Sequence, residues 1–379
     1  MGLRMRRECL RKLMVRIFSG LLLLGAALCA GPAGADGPER LPLRYSHGFA
    51  VTYLADGFKR VRDGAGRTLI LAPRGRQVPA ALRRYPVIPV PLRRAVFASP
   101  TQVCLLRPFQ DPALWRSLAG VTSPSEEWYL DPVKEGLKAG TIAYLGDSYN
   151  PDYERLRALR PEVVFVYGGP YGQERLMKNL KTMGIPYAVD NDYLEADVLG
   201  RMEWLKFLAV FYDKERAAAA YFDAAAARAE ATAARVRSGP RVKVLWGLLY
   251  DGKAYLPAAD SYVARMIGMA GGEYLGPKTA GTGGGNIGVS LEEFYYLAGQ
   301  ADLLVSATFP SATPTLAAWL RNAPVLQTVP AVRAGRVWCL QPWYNQWLDR
   351  SDELVADLAA LTHPGHFRNQ RVRHFYRLP

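Results

Sequence analysis

The chain has 379 residues, enough for two domains with real cores, and carries 48 Lys and Arg against 34 Asp and Glu for a formal net charge of +14. A cationic balance suits an anionic ligand or an anionic membrane surface, and equally a solvated basic surface. No arginine-rich run interleaved with aromatics marks a nucleic-acid partner.

The first 35 residues read as a cleaved secretory signal: basic "MGLRMRRECLRKLMVRIFSG", apolar "LLLLGAALCA", then the small-residue site "AGA" at 33–35. The apolar run is too short for a membrane span. A lipid anchor on Cys29 is not expected, because Leu28 stands where a lipobox has a small residue. Removing six basic residues and one acidic residue with this segment lowers the net charge from +14 to about +9. Cys104 and Cys339 survive in a compartment that permits a disulfide, and two buried free thiols are the expectation.

Residues 45–71 predict a hairpin-like entry with Asp63-Gly64 at the turn. "RRAVFA", "TIAYLG", "EVVFVYG" and "IPYAVD" follow as short strands between helix-capable segments, which describes a small α/β lobe. The stretch "NPDYERLRALRPEVVFVYGGP", 150–170, is one unit of it. Asn150 is the expected N-cap and Pro151 the first helical residue, and Val163–Val166 is an unalternating apolar strand ending in Gly168-Gly169. Tyr167 then stands at the strand's carboxyl end, where open α/β sheets bind ligands.

From 195 to 237 strand signals vanish and strong helix formers predict two helices, the second starting near Asp213. The alternating pattern resumes with "VKVLWGLL", "KAYLP", the helix "SYVARMIGMAGG", the unit "SLEEFYYLAGQADLLV" capped by Ser290 with Glu293, and "RVWCLQPWYNQW". "RSDELVADLAAL" is a terminal helix. The expected domains are therefore a signal peptide (1–35), an N-terminal α/β lobe (36–194), linking helices (195–237) and a C-terminal α/β lobe (238–379).

No pattern marks a catalytic centre. The four histidines miss the predicted strand ends, and the His363/His366 pair reads as an exposed Pro-Gly turn. The glycine-rich "TAGTGGGNIG", 279–288, lacks the phosphate-loop ending and reads as a mobile loop near the cleft. No nucleophile elbow, zincin motif or convincing carboxylate pair is present, so no enzyme, resident cofactor or metal site is expected. What recurs is aromatic residues at strand ends: Tyr149, Tyr167, Tyr171, Trp246, Tyr250 and Tyr255, with Trp343, Tyr344 and Trp347 as the densest cluster. Rigid aromatic surfaces with phenol and indole handles suit a bulky organic ligand. Asn345 and Gln346 add hydrogen-bonding capacity.

"YERLRALRPEVVFVYGG", "MIGMAGGEYLG" and "SLEEFYYLAGQADLLV" resemble units of the periplasmic solute-binding proteins of class III ABC importers, carriers of iron-siderophores, haem or cobalamin. The likeness covers roughly residues 90–365, with Arg160 and Glu162 in place of the family's lysine and aspartate. It implies two similar α/β lobes joined by a long rigid backbone helix, ligand held in the cleft between them, and a monomer that serves a permease–ATPase complex of the inner membrane. One glutamate on each lobe docks onto the transporter, here Glu154 and Glu292, with Glu293 an alternative to the second. The ligand-contacting aromatics carry over to Tyr167, Tyr255 and Trp343. The metal-binding branch uses cleft histidines, which are not found here. A direct metal-ion binder of the same fold and a periplasmic enzyme with an unrecognised site are the alternatives.

Overall fold

The computed structural model describes residues 39–170, 172–281 and 285–379. The expected signal peptide, Cys29 and Tyr171 lie outside the described residues. Among those described, no helix is long and apolar enough to cross a membrane.

Three sheets form. The entry segment is a four-stranded sheet of β1 (Ala50–Tyr53), β2 (Lys59–Arg62), β3 (Thr68–Pro73) and β4 (Val87–Val90), larger than the hairpin expected. The first lobe's sheet comprises β5 (Ala95–Phe97), β6 (Leu118–Val121), β7 (Ala143–Tyr144), β8 (Val163–Val166) and β9 (Tyr187–Val189). All its pairings are parallel, in the order β7-β6-β5-β8-β9. β8 is buried along its whole length, as its unbroken Val-Val-Phe-Val requires of a strand covered on both faces.

The second lobe carries β10 (Val242–Tyr250), β11 (Lys253–Pro257), β12 (Gly272–Tyr274), β13 (Asn286–Val289), β14 (Leu303–Ser306), β15 (Val337–Leu340) and β16 (Phe375–Arg377). β12, β10, β14 and β15 run parallel, while β11, β13 and β16 join antiparallel. Cys104 and Cys339 are both buried free thiols.

The helix before β8 spans Tyr153–Ala158 and is capped by Asp152, whose Oδ1 accepts from the Arg155 amide at 2.9 Å. Asn150 is therefore not the cap. The Asp152 amide still donates to Leu145 O at 2.7 Å, so the chain remains tied to the end of β7 until that residue. The matching helix of the second lobe, Leu291–Ala298, starts at Ser290 as expected, with Ser290 Oγ accepting from the Glu293 amide at 3.1 Å.

The linking region has three helices rather than two: Val198–Glu203, Leu205–Ala209 and Glu215–Val236. Asp213 is a left-handed residue (φ +54°) that breaks the path instead of starting a helix. Buried Lys59 of β2 holds this joint, donating to Asp213 Oδ1 at 2.7 Å and Val210 O at 2.9 Å and pairing with Glu215. In Glu215–Val236 the alanines 218, 225, 226 and 229 are buried with Phe222, and small side chains allow close approach of the terminal helix Ser351–Thr362.

Two buried carboxylates anchor the start of the described chain. Glu203 accepts from the amides of Arg44, Tyr45 and Ser46 at 2.8–3.1 Å and from Lys206 Nζ at 2.8 Å. Glu195 Oε1 accepts from the amides of His47 and Gly48, from Ser46 Oγ and from Trp204 Nε1. A further departure from expectation is His363, which is buried, with Nδ1 against Thr362 Oγ1 and Nε2 against Pro240 O at 3.0 Å each. It ties the end of the terminal helix to the strand entering the second lobe; His366 beside it is exposed, as expected.

Trp204 is fully buried, its ring 4.8 Å from Phe49 and 5.0 Å from Phe207 between centroids. Trp204→Ala removes this packing and one donor to Glu195, so it is expected to lower stability by about 3–5 kcal/mol in urea unfolding.

Candidate ligand-binding cleft

The carboxyl ends of the second lobe's strands meet the linking region around a cavity of about 390 Å³. Trp246 from β10, Tyr255 and Pro257 from β11, and Phe309 and Tyr344 from the segments after β14 and β15 form its aromatic wall. The helix Tyr262–Met269, capped by Ser261, presents its first turn to the same space, and Gly285 and Asn286 border it. The glycine-rich segment thus reaches the cleft through its described end.

Arg201 and Tyr193 close the opposite side. The Arg201 guanidinium donates from Nη2 to Asp192 Oδ2 at 2.8 Å and lies over the Tyr262 ring at 4.1 Å, while its buried Nε has no partner. Asp190, fully buried behind it, accepts from the Asp192 amide at 3.1 Å through Oδ1 and leaves Oδ2 unpartnered. Burial, then the neighbouring Asp192 charge, pushes the Asp190 carboxyl well above the usual range. Asp192 is raised by burial and opposed by Arg201. Arg201 pairs with Asp192 and brings a permanently charged guanidinium to this side of the cavity.

The sequence-predicted aromatics divide. Trp246, Tyr255 and Tyr344 line this cavity. The buried Tyr344 hydroxyl has the Tyr262 hydroxyl as neighbour and no partner in hydrogen-bonding geometry, and burial, then Tyr262, raise it far above the ordinary phenol range. Tyr149 and Tyr167 are outside it but adjoin it through a chain of edge-to-face rings, Tyr149 to Tyr167 at 6.3 Å and Tyr167 to Tyr193 at 6.1 Å. Tyr193 fixes that chain by donating to Gly168 O. Tyr250 is 66 % exposed and away from the cleft. It opposes Lys253 at the tip of the β10–β11 hairpin, where β10 has run past the parallel sheet.

Trp343 and Trp347 line a different cavity, about 470 Å³, with Tyr129 of the first lobe. The 343–347 turn is the wall between the two. It is held across the lobes by Gln346, whose Oε1 accepts from the Tyr129 amide at 2.8 Å and whose Nε2 donates to Glu127 O at 2.6 Å. Arg107 adds Nε to Asp349 Oδ2 at 2.9 Å and Nη2 to Gln346 O at 3.1 Å. Glu154 and Glu292 are exposed, each in the first turn of its helix. The Glu292 carboxyl is lowered by its own backbone amide and by Ser290.

Arg201, Asp190, Asp192 and Tyr262 were not foreseen. The "DNDY" after β9 stands at a strand end and was open to the same argument as Tyr167; nothing in the sequence separates Arg201 from other helix-surface arginines.

The model of the periplasmic binding protein family matches residues 103–343. The chain belongs to this family. Its form is the class III one, with helical rather than extended-strand connection. An uncharacterized lipoprotein of Methanocaldococcus jannaschii is 33 % identical over 328 residues, covering 84 % of this chain and 78 % of that protein. A second lipoprotein of that organism is 23 % identical over 346 residues, 89 % of this chain and 86 % of the relative. Among solved binding proteins, the periplasmic heme-binding protein of Pseudomonas aeruginosa superposes with a TM-score of 0.56 at 21 % identity, over 72 % of this chain and 93 % of its own. The molybdate-bound protein of Haemophilus influenzae gives 0.58 at 18 %, over 75 % and 90 %. These likenesses establish the fold.

Gln346→Ala leaves the Tyr129 amide and Glu127 carbonyl without this partner. A loss of about 1–3 kcal/mol in urea unfolding is expected.

Proposed function

We propose that this chain is the substrate-binding component of an ABC importer that captures an anionic metal chelate, of the iron-siderophore, haem or cobalamin type, and delivers it to a permease–ATPase complex in the inner membrane. The observation that carries this is the Arg201 guanidinium lining a cavity walled by Trp246, Tyr255, Tyr262 and Tyr344. A fixed charged donor beside aromatic faces binds the acidic edge and the flat body of one ligand together. The lobes are read as 36–194 and 238–379, with 195–237 between them, and the protein acts as a monomer without catalysing a reaction.

Native mass spectrometry of protein isolated from its own cells identifies the cargo, and an organic metal complex is expected. Stoichiometric zinc or manganese without an organic carrier overturns the proposal. Arg201→Lys keeps the charge and Asp192's partner but loses the planar fork, and is expected to weaken binding of that cargo by about 1.5–3 kcal/mol, roughly ten- to a hundredfold in Kd. Tyr250→Ala leaves it unchanged.

A small tetrahedral oxyanion is the second reading, favoured by the N-terminal turn of Tyr262–Met269 opening onto the same cavity as Arg201. The Haemophilus neighbour is bound to molybdate. Saturable micromolar binding of molybdate, lost in Arg201→Lys, would select it.

Exposed Glu154 and Glu292 are proposed to pair with permease arginines. Glu154→Ala/Glu292→Ala is expected to leave ligand affinity unchanged and to abolish ATP-driven uptake in reconstituted vesicles; normal uptake removes the assignment. Both Methanocaldococcus relatives are called lipoproteins, which supports Cys29 as a lipid attachment point despite Leu28. A mature chain beginning at lipidated Cys29, against one beginning at Asp36, is distinguished by its intact mass.

A further inference from the structure

Behind the 343–347 turn, the second cavity has a composition unlike the cleft's. Tyr129, Trp343 and Trp347 supply ring faces, with Trp343 5.9 Å from Tyr129 and 6.1 Å from Trp347 between centroids. Arg350, Arg371 and Arg373 converge on it against a single carboxylate, Glu353. That carboxylate is committed: its Oε2 faces His374 Nε2 at 3.2 Å and its Oε1 lies 3.9 Å from Arg350. Among the described residues no acidic group is within ion-pair distance of the Arg371 or Arg373 guanidinium.

His374 is only 1 % exposed, its ring 5.7 Å from that of Trp347 between centroids. The charge the cavity presents to a ligand is therefore that of the exposed Arg371 and Arg373.

We infer that this cavity is a second ligand site, for an aromatic carboxylate. Its carboxylate pairs with Arg371 and Arg373, and its ring lies against Trp343 and Tyr129. The site is independent of what the cleft carries, because the two share only the turn that separates them.

Isothermal titration and tryptophan fluorescence on the full mature chain test this with salicylate as probe, beside benzyl alcohol and inorganic phosphate. Saturable one-to-one salicylate binding is expected, with benzyl alcohol and phosphate each weaker by roughly tenfold or more, since each lacks one half of the recognition. Arg371→Ala/Arg373→Ala, both exposed and outside the core, is expected to weaken salicylate by a similar factor while the melting temperature holds. Arg201→Lys leaves salicylate binding unchanged, whatever it does to the cleft ligand. Phosphate binding as tight as salicylate, or undiminished salicylate binding in the double variant, overturns the inference.

Discussion

The linking region is packed into one apolar core with both lobes. That core runs from Phe97 and Phe165 of the first sheet through Phe207, Phe211 and Phe222 to Trp246 and Val305 of the second. A link buried this way cannot flex without exposing large aromatic surface, at roughly 25 cal/mol per Å² of apolar area. The cleft therefore has nearly fixed walls. The same link carries Arg201, the charged group on one side of the cleft.

That stiffness bears on the buried charges. A guanidinium and two carboxylates taken out of water are worth their desolvation only when geometry holds them together. Asp192 answers Arg201 directly, and Asp190 is driven towards its neutral form. Nε and the second oxygen of Asp190 stay unsatisfied.

The lobes also touch directly. Gln346 and the Arg107–Asp349 pair stitch the 343–347 turn to the first lobe, dividing the space at the strand ends into two cavities. Burial raises the Asp349 carboxyl and the Arg107 contact opposes it. One short turn thus sets both the boundary of the cleft and the shape of the basic aromatic cavity behind it.

Much of the architecture was legible in the sequence because strand and helix signals are local. The unalternating "VVFV", the Ser290 cap and the alanine-rich run each identify an element from its own residues. Where two caps competed, local signals were insufficient: Asn150 yielded to Asp152 because the latter's amide is still bonded to Leu145. The three-residue edge strand β16 carries too few residues for a pattern, and missing it hid His374 at its entrance. The aromatic strand ends were visible as a set, but their division was not. "QPWYNQW" puts Tyr344 in one cavity and Trp343 and Trp347 in another because side chains fan out around a tight turn, and only the cross-lobe bonds of Gln346 decide which way each faces. Residue type and order determined the elements and the family. Which of them converge, and that Arg201 of the link meets Asp192 from the first lobe, was decided by tertiary packing, because proximity between distant segments leaves no mark on either one.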